Sequence, residues 1–199
     1  MTMSNAEWGP LAGLIGTWEG DKGLDVSFHN EEGKIAETGY FEEATFKAFG
    51  PVDNGKQVLF GLDYKMAAWR KGEENSNPFH TELGYWLWDA ANNQVMRCFM
   101  VPRGSVLIAG GTAEAGATSF TMSAELGEQT YGILSNKYLD ENARTTRYDC
   151  SITIESDGVF SYDTTTVYQH YRSSDPIMHT DRNTMTRRTL EAIFDEPDQ

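Results

Sequence analysis

Arg147-Tyr-Asp-Cys-Ser-Ile-Thr-Ile-Glu-Ser-Asp-Gly-Val-Phe-Ser-Tyr162 is the stretch on which the fold turns. Within it, Ser151-Ile152-Thr153-Ile154-Glu155 alternates polar and apolar residues with a period of two, the pattern of a half-buried strand. Asp157-Gly158 tolerates the positive φ of a tight hairpin turn. A second run of aromatic and β-branched residues starts at Val159. The segment therefore predicts two antiparallel strands and the turn that joins them.

The same punctuation recurs along the chain at Glu32-Gly33, Asn54-Gly55, Asn92-Asn93 and Gly110-Gly111. Between these turns lie runs rich in Tyr, Phe, Trp, Val and Thr. Residues 38–49, 56–69, 79–89, 94–101, 105–112, 119–124, 145–155, 159–171 and 178–190 all read as strands. Nine or ten strands joined mostly by hairpins predict an all-β protein. A meander of that length is best stabilised by closing on itself, because closure leaves no edge strand. The expected architecture is a closed, antiparallel, up-and-down barrel of about ten strands.

One short helix is expected over residues 8–16. Pro10 suits a first helical turn, and Leu11, Leu14 and Ile15 make one apolar face. A piece this short needs something to cover, such as an open barrel end. Residues 71–78 read as a loop, and Asp140-Glu141-Asn142 marks a turn within a poorly patterned stretch, 125–142. The domain is expected to run from 8 to 193, with loose termini at 1–7 and 194–199.

The chain has 199 residues, which suits one domain. Sixteen Lys and Arg against 30 Asp and Glu give a net charge of −14. Phosphates would repel that charge, which argues against a nucleic-acid or anionic-membrane surface. Two cysteines, Cys98 and Cys150, make neither a disulfide framework nor a zinc cluster, and are expected as small apolar core groups in a reducing compartment. There is no basic leader and no run of about 20 apolar residues, so a cytoplasmic protein is expected.

A barrel of this size has room for one small molecule, and polar residues on inward positions are then the functional candidates. The last strand supplies most of them. His179, Asp181, Asn183, Met185 and Arg187 share one face, and Thr180, Arg182, Thr184, Thr186 and Arg188 the other. Neither face is apolar, so a polar cavity or a buried ion pair is expected. The histidines (His29, His80, His170 and His179) lack the spacing of a structural zinc site. A single neutral imidazole nevertheless suffices to ligate a haem iron. No phosphate loop or nucleophile elbow is present. Trp86 and Trp88 share the face of His80 and are read as packing.

Several segments together resemble the nitrobindin family of haem-binding barrels, related in fold to fatty-acid-binding proteins of the calycin type. Leu11-Ala-Gly-Leu-Ile-Gly-Thr-Trp-Glu-Gly20 resembles its short helix and Gly-x-Trp-x-Gly opening. Tyr40-Phe-Glu-Glu-Ala-Thr-Phe46 resembles its second strand, and Pro78-Phe-His-Thr-Glu-Leu-Gly-Tyr85 its His-x-Glu-x-Gly segment. His179, between Pro176 and Arg187-Arg188, matches its proximal histidine. The resemblance implies haem b with His179 on the iron, His80 and Phe79 lining the cavity, and chemistry on nitric oxide or peroxynitrite. It also implies that Trp18 plugs the barrel floor, with Arg187 or Arg188 stacked on it. The alternative is a non-haem carrier of a fatty acid or similar molecule, anchored by Arg182 or Arg187. In both cases the partner is a small molecule in the cavity of a monomer or homodimer.

Overall fold

The computed structural model describes residues 5–189. Eleven strands run in chain order: β1 (Gly16–His29), β2 (Lys34–Asp53), β3 (Val58–Arg70), β4 (His80–Asp89), β5 (Gln94–Val101), β6 (Ser105–Thr112), β7 (Ser119–Leu126), β8 (Gly132–Ser135), β9 (Ala143–Ser156), β10 (Val159–His170) and β11 (Ile177–Thr189). They close in the order β1-β11-β10-β9-β7-β8-β6-β5-β4-β3-β2. The quoted hairpin forms as expected, with Phe160 opposite Ile154 and Tyr162 opposite Ile152.

Two features correct the expected ten-stranded antiparallel meander. After β7 the chain turns back through Gly127 at φ +88° and inserts the four-residue β8 between β7 and β6. β8 is antiparallel to β6 but parallel to β7, pairing Glu125 with Gly132 and Leu126 with Ile133. β6 and β7 themselves touch in register only at Gly110 and Ser123, so β8 fills the gap where they diverge. The poorly patterned stretch also contains a one-turn helix, α1 (Lys137–Asn142), whose Asn136 side chain accepts from the Leu139 N–H at 2.9 Å.

The N-terminal cap is a pair of 3-10 turns over Asn5–Leu14, kinked at Gly9, not a regular helix. Gly9 has φ +52°, and a Cβ there would lie 2.5 Å from the Trp88 indole, so glycine is required twice over. Of the termini expected to be loose, residues 5–7 belong to the first turn; residues 1–4 and 190–199 lie outside the described residues. Trp8, Leu11, Leu14 and Trp18 are fully buried and close this end of the barrel. Trp8 donates to the Gly61 carbonyl at 2.9 Å, and Trp18 to the Leu14 carbonyl at 2.7 Å.

Arg187 lies beneath this plug, its guanidinium 4.7 Å from the Trp18 ring centroid. It also donates to the Gly13 carbonyl and to Asp157, both at 2.9 Å. Arg188 points outward to Glu43 and Glu19. The stacked arginine is therefore Arg187. Arg187→Gln is expected to lower stability by about 1–2 kcal/mol in urea unfolding, from the lost stacking and the lost tie to the cap. An unchanged midpoint would show that the cap holds without it.

No helix among the described residues is long and apolar enough to cross a membrane. Of the two cysteines, Cys150 is buried and Cys98 is only half-buried, on the outer face of β5, so the expectation of two core thiols holds for Cys150 alone. Alternation explains the difference, because Arg97 and Phe99 take the inward positions on either side of Cys98.

Candidate functional site

Opposite the plugged end, the barrel opens into a cavity of about 820 Å3. Its rim is formed by the β1–β2 turn at Asn30 and Glu31, by Arg103 and Arg172 in turns, and by Tyr138 of α1. Its inner walls include Phe46, Tyr64, Trp86 and Phe160. The expected residues His179, His80 and Phe79 all line it.

His179 reaches the cavity because β11 pairs with β1 so that Thr180 faces Val26 and Asp181 faces Asp25. Its Nε2 lies 2.5 Å from Asp25 Oδ2, and Ser27 donates to the other Asp25 oxygen. Burial pushes the Asp25 carboxyl up, but the hydrogen bond and charge of His179 outweigh it, and the group sits below the usual carboxylate range. Donor atoms of Asp25, His179 and Asp181 lie within 4.8 Å of one another, a grouping of one imidazole and two carboxylates that could surround a cation.

Asp181 begins a hydrogen-bonded chain into the interior. Tyr40 donates to Asp181, the Tyr40 and Tyr162 hydroxyls are 2.7 Å apart, and Tyr162 lies 2.6 Å from Glu42 Oε2. Asn183 donates to the same Glu42 oxygen at 3.1 Å. Burial pushes Glu42 up to about 7 and Asp181 up to about 6. Proton counting agrees. The three oxygen–oxygen contacts from Asp181 to Glu42 need three protons and the two phenols supply two, so the third belongs to a carboxyl.

A second cluster centres on β4 and β5. Glu82 and Arg97 form a buried ion pair at 2.5 Å. Tyr64 donates to the shared Glu82 oxygen at 2.9 Å, and His80 Nε2 lies 3.1 Å from the other one. Arg97 also donates to Tyr148 and packs 4.5 Å from the centroid of the Phe99 ring. Burial disfavours the Glu82 carboxylate, yet Arg97 and His80 together hold it at about 2. His80 is raised in turn, its burial outweighed by Glu82.

The family model for the THAP4-like, heme-binding beta-barrel domain matches residues 7–187. The chain belongs to this family. The nitrobindin-like resemblance read from the sequence is thereby confirmed at the level of the family. A peroxynitrite isomerase of Clavibacter sepedonicus is 32% identical over 82 residues, 41% of this chain and 35% of that protein. The chain thus matches about a third of the length of that curated relative. The crystal structure of Rv2717c from M. tuberculosis shares the fold, with a TM-score of 0.65 and 18% identity over 90% of this chain and 95% of that one.

Within this haem-binding barrel family's fold, the arginines singled out in the sequence are not in the cavity. Arg182 is exposed on the outer face of β11, beside Lys22. Arg187 sits beneath the floor, as described. The arginines that do line the cavity are Arg97 inside and Arg70, Arg103 and Arg172 toward its mouth. Trp86 is wall, whereas Trp88 packs against the cap at Gly9. Sequence reasoning missed Asp25, Glu42, Tyr40, Tyr162, Glu82 and Arg97 as site residues. Arg97 had one signal, its position between the apolar Val95 and Phe99 on one face of β5.

Proposed function

We propose that the cavity binds haem b, that His179 is the residue that would hold its ferric iron, and that the protein acts on nitric oxide or peroxynitrite. The observation that carries this reading is the Asp25–His179 pair facing the cavity. A carboxylate on one imidazole nitrogen fixes the tautomer and raises the basicity of the other, which is how ligating histidines are commonly supported. The family description and the peroxynitrite isomerase relative support the same reading.

The residues present fit the group. The cavity falls within the roughly 300–1,000 Å3 usual for ligand sites. Phe79, Phe99, Val101, Leu107 and Met66 offer apolar wall to a macrocycle, and Arg70, Arg103 and Arg172 offer cations to its carboxylates. Bound haem would supply the iron chemistry. This chain's own residues orient the site. Asp25 holds His179, and His80, anchored by Glu82, presents an ionisable ring to the same space.

The carrier alternative loses its named anchors, because Arg182 and Arg187 do not face the cavity and Arg97 is already balanced by Glu82. Arg70, Arg103 and Arg172 near the mouth would serve any carboxylate ligand as well as haem. What favours the haem reading is the Asp25–His179 pair.

Hemin titration followed by absorbance tests it. Wild type should give a sharp Soret band saturating at one haem per chain. His179→Ala should lose that saturation, and Asp25→Asn should weaken haem binding by roughly 10–100-fold. Equal titrations for wild type and His179→Ala would reject His179 as the ligand.

A further inference from the structure

The outer wall formed by β4, β5, β6 and β8 differs from the rest of the barrel. Leu83, Met100, Val106 and Leu134 stand directly opposite one another across the four strands. Tyr85, Cys98 and Ile108 form the adjoining row, followed by Leu87, Met96 and Gly110. Leu83, Tyr85, Met100, Val106, Ile108 and Leu134 are each 40% to 71% exposed. None of these outward positions is charged, in a chain where 23% of residues are. Charge resumes at the border, with Lys65 opposite Leu83 and Asp63 opposite Tyr85 on β3. The outer wall of β9, by contrast, is polar, with Asp149, Ser151, Thr153 and Glu155.

We propose that this face is the surface on which two copies of the chain associate about a two-fold axis. The six most exposed side chains present roughly 600 Å2, at the upper end of what a monomer leaves as its largest apolar patch. The rows of Leu87, Met96 and Cys98 extend it toward the roughly 800 Å2 per partner of a standard interface. Charge selects the occupant. A chain of net charge −14 repels its copies over most of its surface and repels anionic lipid. The uncharged face is where two copies meet with no charge buried on either side, and a two-fold interface places the same patch on both partners. The inference is independent of the haem reading, because Leu83, Tyr85, Met100, Ile108 and Leu134 do not line the cavity and Val106 alone reaches its edge.

The test is sedimentation equilibrium of the full chain, without added haem, at concentrations up to about 100 μM. Wild type should sediment at twice the chain mass. Leu134→Asp and Met100→Asp, both at exposed positions, should raise the dissociation constant at least about 30-fold, with near-ultraviolet circular dichroism unchanged. Thr153→Asp, on the polar β9 wall, should leave the dimer intact. A wild type that sediments at one chain mass, including one that binds neutral phosphatidylcholine vesicles instead, overturns the proposal. So does a dimer that survives both patch variants, or one that Thr153→Asp breaks as readily.

Discussion

Glu82→Gln is expected to destabilise the fold by about 3–5 kcal/mol, because it leaves the Arg97 guanidinium charged and unbalanced in the barrel interior. Both side chains of the pair are at most 10% exposed, so solvent cannot take over from the missing carboxylate. Tyr148 and Tyr64 would still hydrogen-bond the guanidinium, and Phe99 and Trp86 would still pack on it, but none of these carries a compensating charge. The double variant Glu82→Leu, Arg97→Met should recover much of the loss, since removing both charges removes the need to pair them. Guanidinium unfolding of wild type, both single variants and the double variant gives the full cycle. A cost below about 1 kcal/mol for Glu82→Gln would mean that the pair is solvated after all. The same pair governs acid stability. Glu82 is held at about 2 against an ordinary 4.5, so its contribution is present above 4.5 and is lost as pH falls toward 2.

The barrel was legible because nearly every strand carries its own signal, an alternating run ended by a turn. β8 was not, because four residues cannot establish a period and its partners come from β6 and β7. β5 shows the limit of alternation inside a strand. Val95, Phe99 and Val101 are apolar on one face, and Met96, Cys98 and Met100 are apolar on the other. Without an inside and an outside, Arg97 could not be placed, and the apolar outer wall could not be told from core. The sequence predicts that the last strand faces a polar cavity or buried ion pair, which it does, but its partners could not be named from the sequence. Its inward face of His179, Asp181, Asn183 and Met185 is acceptable only because Asp25, Tyr40 and Glu42 arrive from β1 and β2 to meet it. Those partners are 141 to 154 residues away in the chain, beyond any local pattern. His179, His80 and Phe79 came from family resemblance, and the structure puts all three on the cavity.

Glu42 should make the protein less stable as pH rises through neutrality, opposite to the usual behaviour of a paired carboxylate. Its folded value is about 7 and its ordinary value 4.5, so between these limits the folded chain holds a proton that the unfolded chain releases. Stability from this group is complete below 4.5 and is lost as pH climbs through 7, to a total on the order of 3 kcal/mol. Asp181, raised to about 6, adds in the same direction over the lower part of the window, and His80, also raised, adds above its ordinary 6.5. Glu82 and Asp25, both lowered, are already ionised across this range in folded and unfolded chains and contribute no slope. Thermal unfolding of wild type from pH 5 to pH 8 should therefore show a falling midpoint. Glu42→Gln replaces the protonated carboxyl with an uncharged amide whose N–H can donate to Tyr162 as the acid O–H does, so it should flatten the profile and be the more stable chain at pH 8. A Glu42→Gln profile as steep as wild type would place the proton of the Asp181–Tyr40–Tyr162–Glu42 chain elsewhere. Because three contacts share only two phenolic protons, its remaining site would then be Asp181, and Asp181→Asn should be the variant that removes the slope.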